Sequence, residues 1–229
     1  MTFALDPSLP PALYPLAWLV GSWEGSGAVH HRPDAPAEGA PPADAAADGP
    51  GRDRRIEQRL DCVPQADGTL AWTSLIHELD DPAPLPPTSA FARQDAPSPA
   101  AGSGERRLLM KEQGIWSVGE LLPGQDLAAA ERARPGDPAA VLSYRLQARF
   151  TRDGVEHDWA GEVRGPRIQL ARRSTDPTRE PSALSARPAI EETRMFGYVS
   201  GRLMWLWERR SDDAEQGLIP YLSLELNRV

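Results

Sequence analysis

The sequence predicts an all-β protein, a single antiparallel β-barrel of about ten strands, and three observations carry that prediction. Residues 143–151 (SYRLQARFT) alternate strictly: Tyr144, Leu146, Ala148 and Phe150 fall on one face, Ser143, Arg145, Gln147, Arg149 and Thr151 on the other. That period of two marks a half-buried antiparallel strand. Turn-forming pairs such as Asp153-Gly154 and Ser200-Gly201 separate further segments of the same kind. Twenty-four prolines and nineteen glycines are also too many for a helical bundle. Many short strands fit a barrel or a sandwich, and closure into a barrel removes the exposed edges that a long meander leaves.

Taken in order, residues 7–21 (PSLPPALYPLAWLVG) suggest a short helical turn with Leu13, Leu16, Leu19 and Val20 on its apolar side. The segment GSWEGSGAV then opens the first strand, and RRIEQRLDCV, TLAWTSLIHEL and RRLLMKEQGIWSVGEL supply the next three. SYRLQARFT, EHDWAGEV (156–163) and RIQL (167–170) read as a three-strand meander through Asp153-Gly154 and Arg164-Gly165-Pro166. IEETRMFGYV, RLMWLWERR and YLSLELNRV (221–229) complete the set. Segments 34–50, 82–104, 122–139 and 175–188 are poor in large apolar residues and rich in Ala, Pro, Gly or charge. Such stretches bury too little surface to offset the entropy of ordering, and they read as loop insertions in one domain spanning 1–229.

Composition narrows the function classes. A formal charge of −8 opposes a phosphate-tracking surface, so no nucleic-acid partner is expected, and an anionic membrane surface is disfavoured likewise. No run of about 18 apolar residues is present, and the N-terminus lacks a basic start, so the expectation is a cytoplasmic protein without membrane insertion. Cys62 is the lone cysteine, which rules out an intrachain disulfide and a thiolate cluster. It follows Asp61 and reads as a buried inert thiol.

The motif GSWEGSG (21–27) places Gly21, Trp23, Gly25 and Gly27 at the junction of the helical turn and the first strand. Its structural reading has the glycines permitting close backbone approach and Trp23 plugging one end of the barrel. Together with KEQGIWSV (111–118), TRMFGYVSGRLMWLWER (193–209) and IPYLSLELNRV (219–229), in that order, the chain resembles the nitrobindin family. That resemblance implies a ten-stranded barrel shaped like the fatty-acid-binding proteins.

In heme-binding nitrobindins, the resemblance implies, a histidine near the start of the last strand ligates ferric heme b. The matching stretch here is Tyr221-Leu222-Ser223-Leu224, so Tyr221 stands at the ligand position. The Tyr-Pro-Thr stretch that lines the family's distal pocket is replaced by Val29-His30-His31-Arg32-Pro33. The chain is thus most similar to the nitrobindin-like subgroup without the axial histidine. A neutral imidazole is a good ligand for ferric heme, whereas a phenol, ionising at about pH 10, is not. Two orientations of Tyr221 stay open: away from the leucines of the last strand, or reset by a bulge at Pro220.

Of the four histidines, His30 and His31 are adjacent and cannot chelate one metal from a strand, and His31 is the one placed to reach a barrel mouth. His77 and His157 have no metal-site spacing. Trp205 and Trp207 share a strand face, for packing or as the lining of a flat ligand site. No Gly-x-Ser-x-Gly or phosphate loop occurs, and no catalytic or metal-ligating residue is assigned. The leading expectation is a binding barrel, not an enzyme, for a small hydrophobic or planar ligand. The alternatives are a ferric heme protein acting on peroxynitrite through Tyr221 or a displaced histidine, and a filled barrel serving as an interaction module.

Overall fold

The computed structural model describes residues 8–30, 53–82, 105–134, 137, 140–174, 189–211 and 217–229. Its strands are β1 (Gly21–Val29), β2 (Arg54–Pro64), β3 (Leu70–Pro82), β4 (Arg106–Leu121), β5 (Ser143–Arg152), β6 (Val155–Arg164), β7 (Arg167–Arg173), β8 (Ile190–Val199), β9 (Arg202–Arg210) and β10 (Leu218–Arg228). Each pairs antiparallel with its sequence neighbours and β1 closes on β10, giving the expected ten-stranded barrel with no free edge.

A 3₁₀ turn, Pro11–Leu16, closes one end. Pro11 and Pro15 lack amide donors, which keeps the segment from extending as an α-helix. Leu13, Leu16 and Leu19 are fully buried beneath it. Trp23 donates its indole N–H to the Leu19 carbonyl at 2.9 Å and meets Tyr198 edge-on. From the last strand, Arg228 lies 4.3 Å over the Trp23 ring and donates to the carbonyls of Trp18 and Val20.

The glycine motif acts through strand spacing. A Cβ at Gly25 or Gly27 would overlap the carbonyl oxygens of Glu225 and Ser223 on β10, so only glycine allows the two strands to close the barrel there. Gly21 has φ +121°, outside the range of ordinary side chains.

One expected loop is partly helical. Residues 122–139 include α1 (Leu127–Arg132), whose Asp126 side chain accepts from the Ala129 amide at 2.9 Å as an N-cap. The sequence LAAAER has high helix propensity, which a reading based only on missing large apolar residues overlooks. Of segment 82–104, Pro82 ends β3; the rest, with 34–50 and 175–188, lies outside the described residues, as does His31. No helix among the described residues is long and apolar enough to cross a membrane.

Candidate functional site

The inward faces of the strands change character along the barrel axis. At the end closed by the 3₁₀ turn they are aliphatic and aromatic throughout. In the middle, Trp72, Trp116, Phe150 and Phe196 pack mainly edge-to-face, with ring centroids 5.3–5.9 Å apart. Toward the opposite end, the same inward phase turns to charge: Phe150 is followed by Arg152, Trp207 by Arg209 and Leu170 by Arg172, while Arg194 and Glu192 precede Phe196.

At the boundary, Arg194 spans the interior. Its guanidinium donates to both Glu112 oxygens at 2.7 Å, and both side chains are almost wholly buried. The same guanidinium lies 4.1 Å over Trp207, 4.6 Å over Trp159 and 4.7 Å over Phe150. Glu192 accepts from Arg172 at 3.0 Å and from the Trp207 indole at 3.2 Å. Burial raises the Glu192 pKa, but Arg172, Arg209 and Arg152 outweigh it and hold the carboxyl below its ordinary range.

Arg152 differs from its neighbours. It lies 5.0 Å over the Trp207 ring, it is more than half buried, and its hydrogen bond is to the Met110 sulfur at 4.0 Å. Among the described residues no carboxylate reaches it within 4.0 Å. Burial, and then Arg209, pull its pKa below the usual guanidinium value. The indole N–H of Trp159 and the Nε groups of Arg172, Arg194 and Arg209 are buried without a hydrogen-bond partner among the described residues, Arg209 Nε having the Glu192 carboxylate 3.5 Å away. Each buried unmet donor costs about 1–3 kcal/mol.

Tyr221 opens onto that cluster. The register of β10 against β9 jumps from Pro220–Glu208 to Leu222–Trp207, leaving Tyr221 as the extra residue of a bulge. The bulge settles its orientation: Tyr221 packs on the core side beside Leu222, its ring 5.0 Å from Trp207 at 89° and 4.2 Å beneath Arg209. Ser223 and Glu225 stay in the outward phase, opposite the buried Leu222, Leu224 and Leu226.

The other sequence candidates scatter. Gly21, Trp23, Gly25 and Gly27 belong to the closed end and the β1–β10 seam, away from Tyr221. His77 lies on the outer face near Arg106, and burial, then Arg106, hold its pKa below the usual value. His157 shares the inward phase with Trp159, pairs with Phe150 and feels Arg152 and Arg172, so it faces the charged mouth. Cys62 is buried, and burial with Asp61 raises its thiol pKa far above the ordinary range. The sequence reading weighed His157 only for metal spacing and did not single out Arg152 or Arg209, so it did not bring the three together at this end of the barrel. The available signal was strand phase, since Arg152 continues the series Leu146, Ala148, Phe150.

The architecture is that of a barrel closed at one end, with an aromatic interior and a donor-rich mouth. A family model described as a THAP4-like, heme-binding β-barrel domain matches residues 12–228, and the chain belongs to that family. The chain is 25% identical over its full length to a protein from Kocuria rhizophila named peroxynitrite isomerase, covering 96% of that protein. A Beutenbergia cavernae protein named ferric nitrobindin-like protein is 28% identical over 90% of this chain and 89% of its own. The nitrobindin resemblance read from the sequence therefore holds. The crystal structure of Rv2717c from M. tuberculosis has a TM-score of 0.49 and 17% identity, over 97% of this chain and 99% of that one.

The family is described as heme-binding, and two side chains at this mouth, the Tyr221 phenol and the His157 imidazole, carry atoms able to ligate iron. Position 221 offers a phenol whose ring is already held by Trp207 and Arg209, and the imidazole that faces this mouth, His157, stands on β6.

Proposed function

We propose that this protein is a binding barrel for a small hydrophobic or planar molecule with an acidic group, held at the mouth formed by Tyr221, Trp207, Arg152 and Arg209. The carrying observation is Arg152, a half-buried cation on an aromatic ring with no carboxylate partner among the described residues. A planar acid would stack against the aromatic rings and give its oxygens to Arg152 and to Arg209, whose Nε makes no hydrogen bond among the described residues and lies 3.5 Å from Glu192. Tyr221 stands where the resemblance puts the axial histidine, so this reading has heme iron unligated in the family's usual way. The peroxynitrite isomerase names of relatives support a second reading, a ferric heme protein whose iron takes Tyr221 or His157.

Titration with hemin, followed by the Soret band, and with the planar anionic dye anilinonaphthalene sulfonate, followed by fluorescence, separates these readings. The proposal expects dye binding that weakens about tenfold or more in Arg152→Gln, and an axial imidazole spectrum with hemin only in Tyr221→His. Tight ferric heme binding by the wild type that Tyr221→Phe or His157→Gln abolishes would establish the second reading. A protein that binds neither probe is a filled barrel.

A further inference from the structure

On the outer face of the barrel, away from the mouth interior, three residues from three chain segments form a hydrogen-bonded chain. His30 follows β1, Asp53 precedes β2, and Ser223 lies on β10 just past the bulge. His30 Nδ1 is 2.8 Å from Asp53 Oδ2, and His30 Nε2 is 3.1 Å from Ser223 Oγ. The His30 backbone N–H donates to the Tyr221 carbonyl at 2.9 Å, which fixes the base of the imidazole. The tautomer protonated at Nδ1 donates to Asp53 and leaves Nε2 to accept from the serine hydroxyl.

The simpler reading is a surface hydrogen-bond network tying three strand ends together. One further observation goes beyond it. Ser223 borders a groove of about 880 Å³ whose lining includes His30, Asp53, Met195, Met204 and Leu206, an apolar strip on an outward face.

We propose that Asp53, His30 and Ser223 form a nucleophilic relay that hydrolyses esters of small hydrophobic carboxylic acids bound in this groove. Ser223 Oγ attacks the ester carbonyl carbon while its proton passes to His30 Nε2. The bond to the alkoxy oxygen then breaks, and the alcohol leaves with the proton from His30. Water attacks the acyl-serine, His30 takes a proton from it and returns one to Ser223, and the carboxylic acid departs. Asp53 is a positioning residue that orients His30.

The test uses the full chain with a fluorophosphonate probe, peptide mass spectrometry to locate the label, and hydrolysis of p-nitrophenyl butyrate. The expected result is label on Ser223 and ester turnover, both falling at least about tenfold in His30→Gln and lost in Ser223→Ala. Asp53→Asn should slow labelling and Asp53→Glu should recover part of it, a pattern that loss of a mere strand tie would not give. Melting temperatures within a few degrees of wild type exclude unfolding as the cause. Absence of label on Ser223, or labelling at the same rate in wild type and His30→Gln, overturns the proposal.

Discussion

Arg194 and Glu112 form a two-bonded ion pair through the middle of the barrel, joining β8 to β4 on strands that are not neighbours in the sheet. The pair separates the apolar interior from the charged mouth. Removing either partner strands a buried charge, which costs about 3–5 kcal/mol. Glu112→Leu and Arg194→Met should each lower the unfolding free energy, taken from the urea midpoint and slope, by that amount. The double variant Glu112→Leu/Arg194→Met should recover most of the loss, because an apolar pair leaves no charge to solvate. Additive losses in the double variant would show that the two side chains do not interact in solution.

Gly27→Ala should destabilise the barrel more than alanine at an outward-facing β1 position. The added carbon has no room beside the Ser223 carbonyl, and such overpacking costs about 1–3 kcal/mol or more. Ser26→Ala, the neighbour in the opposite phase, serves as the control in thermal melts. Equal melting temperatures would mean that the β1–β10 seam is looser than described.

Cys62 should not react with a disulfide reagent until the barrel opens. Its thiol is buried and its folded pKa is raised by burial and by Asp61. The folded state therefore keeps the proton while the unfolded chain releases it in the ordinary thiol range of about 8.5. This contribution to stability is full below that range and declines as pH rises above it. Cys62→Ala should flatten the alkaline loss of stability, read as urea midpoints between about pH 8 and 10.

His157 should titrate below the usual histidine range, held there by burial first and then by Arg152 and Arg172. The unfolded chain takes up the proton at higher pH than the folded one. The stability this group contributes is therefore present above the ordinary histidine pKa and lost as the solution is acidified through it. In Arg152→Gln the His157 ring signal, followed by NMR, should titrate at higher pH than in wild type. An unmoved titration would place Arg152 away from the mouth and weaken the ligand site built on it.

The fold was legible because period-two alternation and turn chemistry are local. Tyr144 to Phe150 declares a strand by itself, and Asp153-Gly154 declares the turn that follows. The glycine motif was legible as structure, though what each glycine avoids is visible only with β10 beside β1. α1 was lost because alanine-rich sequence resembles a loop when only large apolar residues are counted. The orientation of Tyr221 stayed open because one extra residue reverses the side-chain phase, and alternation alone does not place a bulge. Arg152 and His157 continue the inward phase of buried neighbours, but that they face one another across the barrel end depends on the register of β5 against β6.

The sequence by itself determined the all-β class, the order of about ten strands, the family and the lone cysteine, since each depends on short-range pattern or on residue count. The tertiary structure alone decided which residues meet. Barrel closure brings β1 against β10, so His30 and Asp53, 23 positions apart, meet Ser223, 193 positions beyond His30. It also turns the charged ends of β5, β8 and β9 into one mouth around Trp207. Contacts of that range follow from register and curvature summed around ten strands, which no local stretch of sequence specifies.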